Sequence, residues 1–266
     1  MDSIPLPSKI ALDSSDEHRA RIVIEPCYPG YGTTLGNALR RVLLSSLSGA
    51  AVTRVKIEGV THEFTTLPGV KEDIVDVILN LKLLRVRLHE GEEAILTVDA
   101  KGEKVLTAKD IKVPSNVEVV NPAMVLATLT DKSAELKMEI TVEKGRGYVP
   151  VEAKDHEKGE IGAIAVDAIY TPVKTVNFDT ENVRVGQMTN YDRLTIDLAT
   201  DGTITPQEAF HRAAEILVDH FTLFKNTDLG EGEKPATKRR TKKSTVKAEE
   251  GEKLANDGAE QPIVEK

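Results

Sequence analysis

The chain has 266 residues, 40% of them apolar, which is enough for one or two packed cores. Aromatic residues make up only 4% and tryptophan is absent, so any core must be aliphatic. A net charge of −8 argues against a general nucleic-acid coat, and a single cysteine excludes a disulfide framework.

In chain order, residues 1–10 read as irregular, with Pro5 and Pro7 among them. This start lacks the apolar stretch of a signal peptide, and no run approaches the ~20 apolar residues of a membrane span. The expectation is a soluble cytoplasmic protein. Residues 19–26 alternate polar and apolar and predict a strand. A turn-rich segment, PCYPGYGTT, then leads into a predicted helix over 33–49. Thr33 or Thr34 serves as its N-cap and Gly49 closes it. Leu35, Ala38, Leu39, Val42, Leu43 and Leu47 share one side, an arc of about half the circumference against ~100° for an ordinary surface helix. The other side holds Asn37, Arg41, Ser45 and Ser48, with Leu44 exposed among them and Arg40 at the margin. So wide an arc calls for two partners: the helix's own sheet and a second subunit.

Residues 51–58 predict a strand, and GVTHEFTTLPGV a strand and loop. Val70, Ile74, Val77, Ile78 and Leu81 mark a second helix. LLRVRL and AILTVDA suggest a hairpin across HEGEE, followed by short strands in VLTAKDI and EVVNP. ELKMEITVEKG alternates cleanly, and residues 154–160 form a polar loop. IGAIAVDAIY, TVNFDTENVRV and RLTIDLAT are further strands. Thr205, Pro206 and Glu208 then supply an N-cap, an N1 proline and an N3 glutamate. The helix they open carries Ala209, Phe210, Ala213, Ile216, Leu217, Phe221, Leu223 and Phe224 on another wide apolar arc, with His220 as a packed histidine. Beyond Asn226 the composition shifts: residues 231–247 net +5 through KRRTKK and residues 248–266 net −4, the signature of a disordered tail. Many short strands with three good helices indicate the α+β class.

Little in this pattern points to catalysis. Gly30, Gly32 and Gly36, with Glu58 beyond the next strand, imitate a dinucleotide fingerprint. The spacing is GxGxxxG, however, and Pro26 and Pro29 lengthen the turn, so a glycine-permitted turn into a helix fits better. Cys27 reads as a small buried hydrophobe rather than a nucleophile. His18, His62, His89, His156, His211 and His220 fall in no motif, and no spacing matches a metal site. KRRTKK suits either phosphate contacts or a solvated linker. Arg41, amid small polar neighbours on a helix needed elsewhere for packing, suits a charge-assisted contact to another protein.

TLGNALRRVLLSSLSGAAVT, GVTHEFTTLPGVKEDIVDVILNLK, GRGYVPV, VDAIYTPV and DGTITPQEA resemble, in unbroken order over about residues 15–228, the α-subunit family of bacterial RNA polymerase. That resemblance implies a discontinuous dimerisation domain over 1–48 and 173–230 and an inserted α+β domain over 49–172. Residues 231–266 correspond to a linker-like tail without the usual C-terminal DNA-binding domain, so recognition of upstream promoter DNA is expected to be weak or absent. Leu35, Leu39, Val42, Leu43, Ala213, Leu217, Phe221 and Phe224 fall at the homodimer interface. The dimer scaffolds polymerase assembly. One copy holds the β subunit through Arg41, Leu44 and Arg40, with His62, Glu63, Gly69 and Val70 of the HEFTTLPGVKED segment. The other holds the β′ subunit through Lys82, Val166 and Val173. The ω and sigma subunits complete the holoenzyme. Catalysis lies outside this chain, which has no cofactor of its own; the catalytic magnesium and structural zinc belong to β′.

Overall fold

A four-stranded antiparallel sheet forms from the two ends of the folded chain. It contains β1 (Lys9–Asp16), β2 (Arg19–Cys27), β13 (Val173–Val185) and β14 (Met188–Thr200), in the order β1-β2-β14-β13. The structure, a computed structural model, describes residues 4–154 and 162–227. Most of the predicted polar loop at 154–160 and the whole 231–266 tail with KRRTKK therefore lie outside the described residues. β1 departs from the sequence reading, which ended an irregular start at residue 10. Pairing from Lys9↔Glu25 to Asp13↔Arg21 makes 9–16 an edge strand, just past the two prolines.

Between β2 and the rest of the chain lies α1 (Tyr31–Ser45). It starts earlier and stops earlier than the sequence suggested. Its N-cap is Gly30, at a left-handed φ of 83°, not Thr33 or Thr34. A side chain costs strain in that conformation and glycine does not. The cap is supplied from across the sheet: the Asp192 carboxylate accepts from Gly30 N–H at 2.9 Å and from Gly32 N–H at 3.0 Å. Ser46 N–H closes the other end onto the Val42 carbonyl, and Gly49 belongs to the following strand. α1 lies close against β13. An added Cβ at Gly36 would sit 2.5 Å from the Phe178 ring, so only glycine permits this approach. Leu39 and Leu43 pack inward onto Ile22, Ile24, Val176, Leu194, Ile196 and Leu198. α3 (Pro206–Asn226) covers the same face and adds Ala209 and Ala213 to this core. Its predicted cap is present: Thr205 Oγ1 accepts from Glu208 N–H at 3.2 Å.

The middle of the chain builds a second aliphatic core around a mainly antiparallel sheet ordered β5-β9-β3-β4-β7. These strands are β3 (Ser48–Ile57), β4 (Val86–Leu88), β5 (Glu93–Lys101), β7 (Val117–Val119) and β9 (Glu135–Arg146); β11 (Ala163–Ala165) also pairs with β3. α2 (Ile74–Lys82) packs Ile74, Val77 and Leu81 onto this core. It begins after Val70, which instead bridges to Leu129, because Asp73 caps the helix by accepting from Asp76 N–H. The predicted hairpin across HEGEE is absent. β4 pairs with β3 and β7, while β5 pairs with β9, so the two strands lie apart in the sheet. Two small ribbons complete the fold: β6 (Lys104–Thr107) with β8 (Val125–Leu129), and β10 (Tyr148–Val149) with β12 (Ala168–Ile169).

The cores are joined at the turn before α3. Arg87 on β4 donates from Nε to the Thr203 carbonyl at 2.7 Å and from a terminal nitrogen to the Gly202 carbonyl at 3.3 Å. Asp201 N–H donates to the Pro172 carbonyl at 2.9 Å, and Arg85 stands 3.8 Å from the Asp201 carboxylate.

Two outcomes test this reading of α1. Gly36→Ala drives a methyl group into Phe178 and should cost about 1–3 kcal/mol, the usual range for overpacking, read as a lower midpoint in urea. Asp192→Ala orphans two helix N–H groups and should cost about 1–3 kcal/mol. Asp192→Asn keeps one acceptor oxygen and should lose less in the same titration.

Candidate partner-binding surfaces

α1 separates two environments because its buried residues, Gly32, Gly36, Leu39 and Leu43, recur every three to four positions. The opposite side exposes Thr34, Asn37, Arg41 and Ser45. The small polar residues there satisfy their own helix: Asn37 donates to the Thr33 carbonyl at 3.1 Å and Ser45 to the Arg41 carbonyl at 2.8 Å. Among the described residues no carboxylate pairs with Arg41. Its neighbour differs, since Arg40 donates from Nε to the Val176 carbonyl at 3.2 Å and is tied to β13. Leu44 also departs from expectation. It is half-buried and packs against the core, because its position on the helix turns partly back towards the sheet.

The segment between β3 and α2 is held to β8. Thr130 N–H donates to the Gly69 carbonyl at 2.8 Å, and Lys71 N–H to the Thr128 carbonyl at 2.9 Å. The Glu72 carboxylate accepts from the Thr128 N–H and hydroxyl at 2.6 and 2.9 Å. On this braced segment His62 is exposed, Glu63, Gly69 and Val70 are half-buried, and Phe64 is 80% exposed. Phe64 is absent from the sequence-derived set. A lone aromatic between polar residues in so aromatic-poor a chain was the available signal. No hydrogen bond or ion pair joins this segment to the Arg41 face among the described residues.

Lys82, at the end of α2, binds Asp167 at 2.8 Å, and the same carboxylate accepts from Val151 N–H at 3.0 Å. Val166 adjoins this pair, but its side chain is 1% exposed within the central core. Val173 is 2% exposed and lies in the other core. Both valines face inward on their backbones, so neither side chain is free to meet a partner; of the three positions only Lys82 offers one.

The apolar arcs divide in the same way. Leu39, Leu43 and Ala213 are buried within their own chain and are withdrawn from any contact between copies. Leu35, Val42 and Leu217 are half-buried at the margin. Phe221 and Phe224 are 61% and 63% exposed, together with Val218 and Leu223, because α3 runs on past its last buried residue, Ala213. Val218 is missing from the sequence-derived set. His220 is exposed rather than packed, with Nδ1 2.7 Å from the Ile216 carbonyl of its own helix.

The enzyme-like features dissolve in this geometry. The N-terminus of α1, where a pyrophosphate would sit in a dinucleotide fold, is occupied by the Asp192 carboxylate. Glu58 pairs with Lys137 at 3.3 Å. Cys27 is 1% exposed, and burial, aided by the Asp192 charge, pushes its thiol pKa up and away from the reactive thiolate.

Comparison with known proteins gives these surfaces a context. A family model described as the RNA polymerase Rpb3/RpoA insert domain matches residues 55–171. The chain is 53% identical over 218 residues to the DNA-directed RNA polymerase subunit alpha of Carboxydothermus hydrogenoformans, covering 82% of this chain and 69% of that protein. It is 52% identical over 216 residues to the subunit of the same name from Moorella thermoacetica, covering 81% and 69%. Against that of Desulforamulus reducens it is 53% identical over 218 residues, covering 81% and 68%. At this identity over about four-fifths of its length, the chain belongs to the α-subunit family of DNA-directed RNA polymerase.

Proposed function

We propose that this chain is a non-catalytic scaffold of DNA-directed RNA polymerase, which dimerises and presents two faces to the two large subunits. The observation that carries the reading is the division of α1 and α3 into unlike sides. Their inner residues complete the chain's own core, while Phe221, Phe224, Val218 and Leu223 remain exposed along the end of α3. Exposed apolar surface of this extent on one helix marks an interaction site. A second copy is the partner that fits, since a two-fold axis lets the same patch cover itself. On this reading residues 1–48 and 173–230 form the dimerisation domain and 49–172 the inserted domain.

Arg41 points away from the apolar sides and is assigned to the β subunit. Its guanidinium offers a planar, always-charged fork for a carboxylate. The braced 62–70 segment extends that face, with Phe64 as an aromatic anchor. Lys82, held against Asp167, marks the face assigned to β′. Leu44 and Arg40 support the β face from behind, one packed and the other bonded to β13. Nucleotide chemistry, magnesium and zinc are assigned to the large subunits, and ω and sigma join the assembled enzyme.

Co-purification with the β subunit tests the assignment. Arg41→Ala should lower β retention on the order of tenfold to a hundredfold, as loss of a buried charge-assisted contact does. The same variant should remain a dimer by sedimentation. Unchanged β retention would remove Arg41 from the site. Separately, Val218→Asp with Leu223→Asp should shift the chain from dimer to monomer at micromolar concentration, with its circular dichroism unchanged. A wild-type chain that sediments as a monomer would end the scaffold reading.

A further inference from the structure

The chain passes between its two cores at residues 46–49 and again at 170–172, and the two crossings lie against each other. A Cβ added at Gly49 would sit 1.9 Å from the Tyr170 carbonyl oxygen, and one at Gly145 would sit 2.6 Å from the Tyr170 ring, so glycine is required at both positions. Two adjacent crossings make a hinge, because neither opposes rotation about the line through them. What opposes it must lie to one side. In the central sheet β4 and β7 follow β3 on one side, with Val86 opposite Ala50 and Glu118 opposite Arg87. At a strand spacing of ~4.8 Å, contacts on β4 and β7 stand roughly 5–10 Å from β3 and its crossing.

The turn at residues 201–203, ahead of α3, supplies those contacts. Arg87 on β4 reaches it with two donors, Nε to the Thr203 carbonyl at 2.7 Å and a terminal nitrogen to the Gly202 carbonyl at 3.3 Å. Its other terminal nitrogen donates to the Glu118 carboxylate on β7 at 3.1 Å, which aims the rigid guanidinium fork from within the central sheet. Glu118 alone would make Arg87 an ordinary surface ion pair, worth little. Two backbone carbonyls from the other core make it a tie. The receiving turn is braced in its own right. The Asp201 carboxylate accepts from the Thr203 N–H at 2.9 Å and from its hydroxyl at 2.6 Å, while Asp201 N–H donates to the Pro172 carbonyl at the second crossing. Arg85 stands 3.8 Å from the same carboxylate, which is only 6% exposed. Gly202 fits closely beside Val120, just past β7: an added Cβ would lie 3.0 Å from the valine side chain.

The face assigned to β has one part on each side of this hinge: Arg41 on α1, and the 62–70 segment with the exposed Phe64 beside the central core. We propose that Arg87 is a positioning residue for capture of the β subunit: its tie to the Gly202 and Thr203 carbonyls fixes the angle between the two cores, so that Arg41 and Phe64 meet one partner together. This rests on the reading of that face given above. A rotation of ~10° moves a group ~20 Å from a hinge by roughly 3.5 Å, more than a hydrogen bond tolerates. A fixed angle also removes an ordering cost that the partner would otherwise meet on binding. Arg87 itself touches no partner in this scheme; it acts through the spacing of the two parts.

The test uses the full chain. Arg87→Ala should lower β retention on the order of tenfold, with sedimentation and circular dichroism unchanged. Arg87→Lys keeps the charge without the fork and should fall between. The loss should depend on both parts of the face being present. In a chain already carrying Arg41→Ala, or Phe64→Ala, adding Arg87→Ala should cost no more than about twofold further, since a single remaining part has no spacing to lose. Multiplicative losses would overturn the proposal, as would unchanged retention in Arg87→Ala. A second measurement needs no β. Chains carrying Cys27→Ser, Asn37→Cys and Ile95→Cys are spin-labelled, mixed with excess unlabelled chain, and read by pulsed electron paramagnetic resonance. The distance distribution between the labels should broaden when Arg87→Ala is added; equal widths would overturn the tie whatever β does. Unchanged retention in both Arg41→Ala and Phe64→Ala would strike the β face itself, and the positioning role with it.

Discussion

The Asp192 carboxylate beneath the first turn of α1 is the interaction on which the rest of the structure depends. A helix begins with N–H groups that its own backbone cannot satisfy. Here two of them are satisfied by one buried carboxylate from the far end of the chain, at 2.9 and 3.0 Å. The negative charge also suits the positive end of the helix dipole. That bond ties β14 to α1 across 160 residues of intervening sequence and sets the direction in which α1 runs. With the start held by Asp192 and the middle pressed onto Phe178 at Gly36, the helix has no freedom to rotate. The side on which Arg41 emerges follows from that.

A second constraint is the mismatch between apolar surface and a single chain's capacity to bury it. Burying a large aliphatic side chain stabilises a fold by roughly 1.5–3 kcal/mol, so a core recruits what it can reach. The core over the four-stranded sheet buries Leu39, Leu43, Ala209 and Ala213, and along α3 it reaches only as far as the half-buried Ile216 and Leu217. The helix continues past Ala213 to Asn226 with its apolar pattern intact. Such a helix end suits a partner of the same composition. The division between the apolar side of these helices and the charged outer side is a consequence of helical geometry acting on one sheet of limited width.

The α+β class and the three helices were legible because periodicity reports them locally. The cap of α3 was legible too, since Thr205 and Glu208 are three residues apart. The cap of α1 was not. Thr33 and Thr34 are good local candidates, but a carboxylate from residue 192 satisfied the turn first, so Gly30 took the position. The false hairpin across HEGEE arose for a related reason. Two adjacent apolar runs look like partners until β3 and β9 compete for them. The candidate surfaces were half legible. Arg41 and the phenylalanines are exposed on the sides that periodicity implied, and Leu39, Leu43 and Ala213 lie buried on the apolar side, whereas Val166 and Val173, contact positions by resemblance alone, are buried in the cores.

By itself, then, the sequence determined which residues alternate, which recur at helical spacing, and which family the motifs resemble. Those are properties of neighbours along the chain. Only the tertiary structure decided which apolar residues are consumed within the chain and which are left exposed. An apolar residue on an amphipathic helix looks the same in sequence whether it meets its own sheet or another molecule. The outcome depends on how far the sheet extends beneath it, and that width is set by strands from opposite ends of the chain.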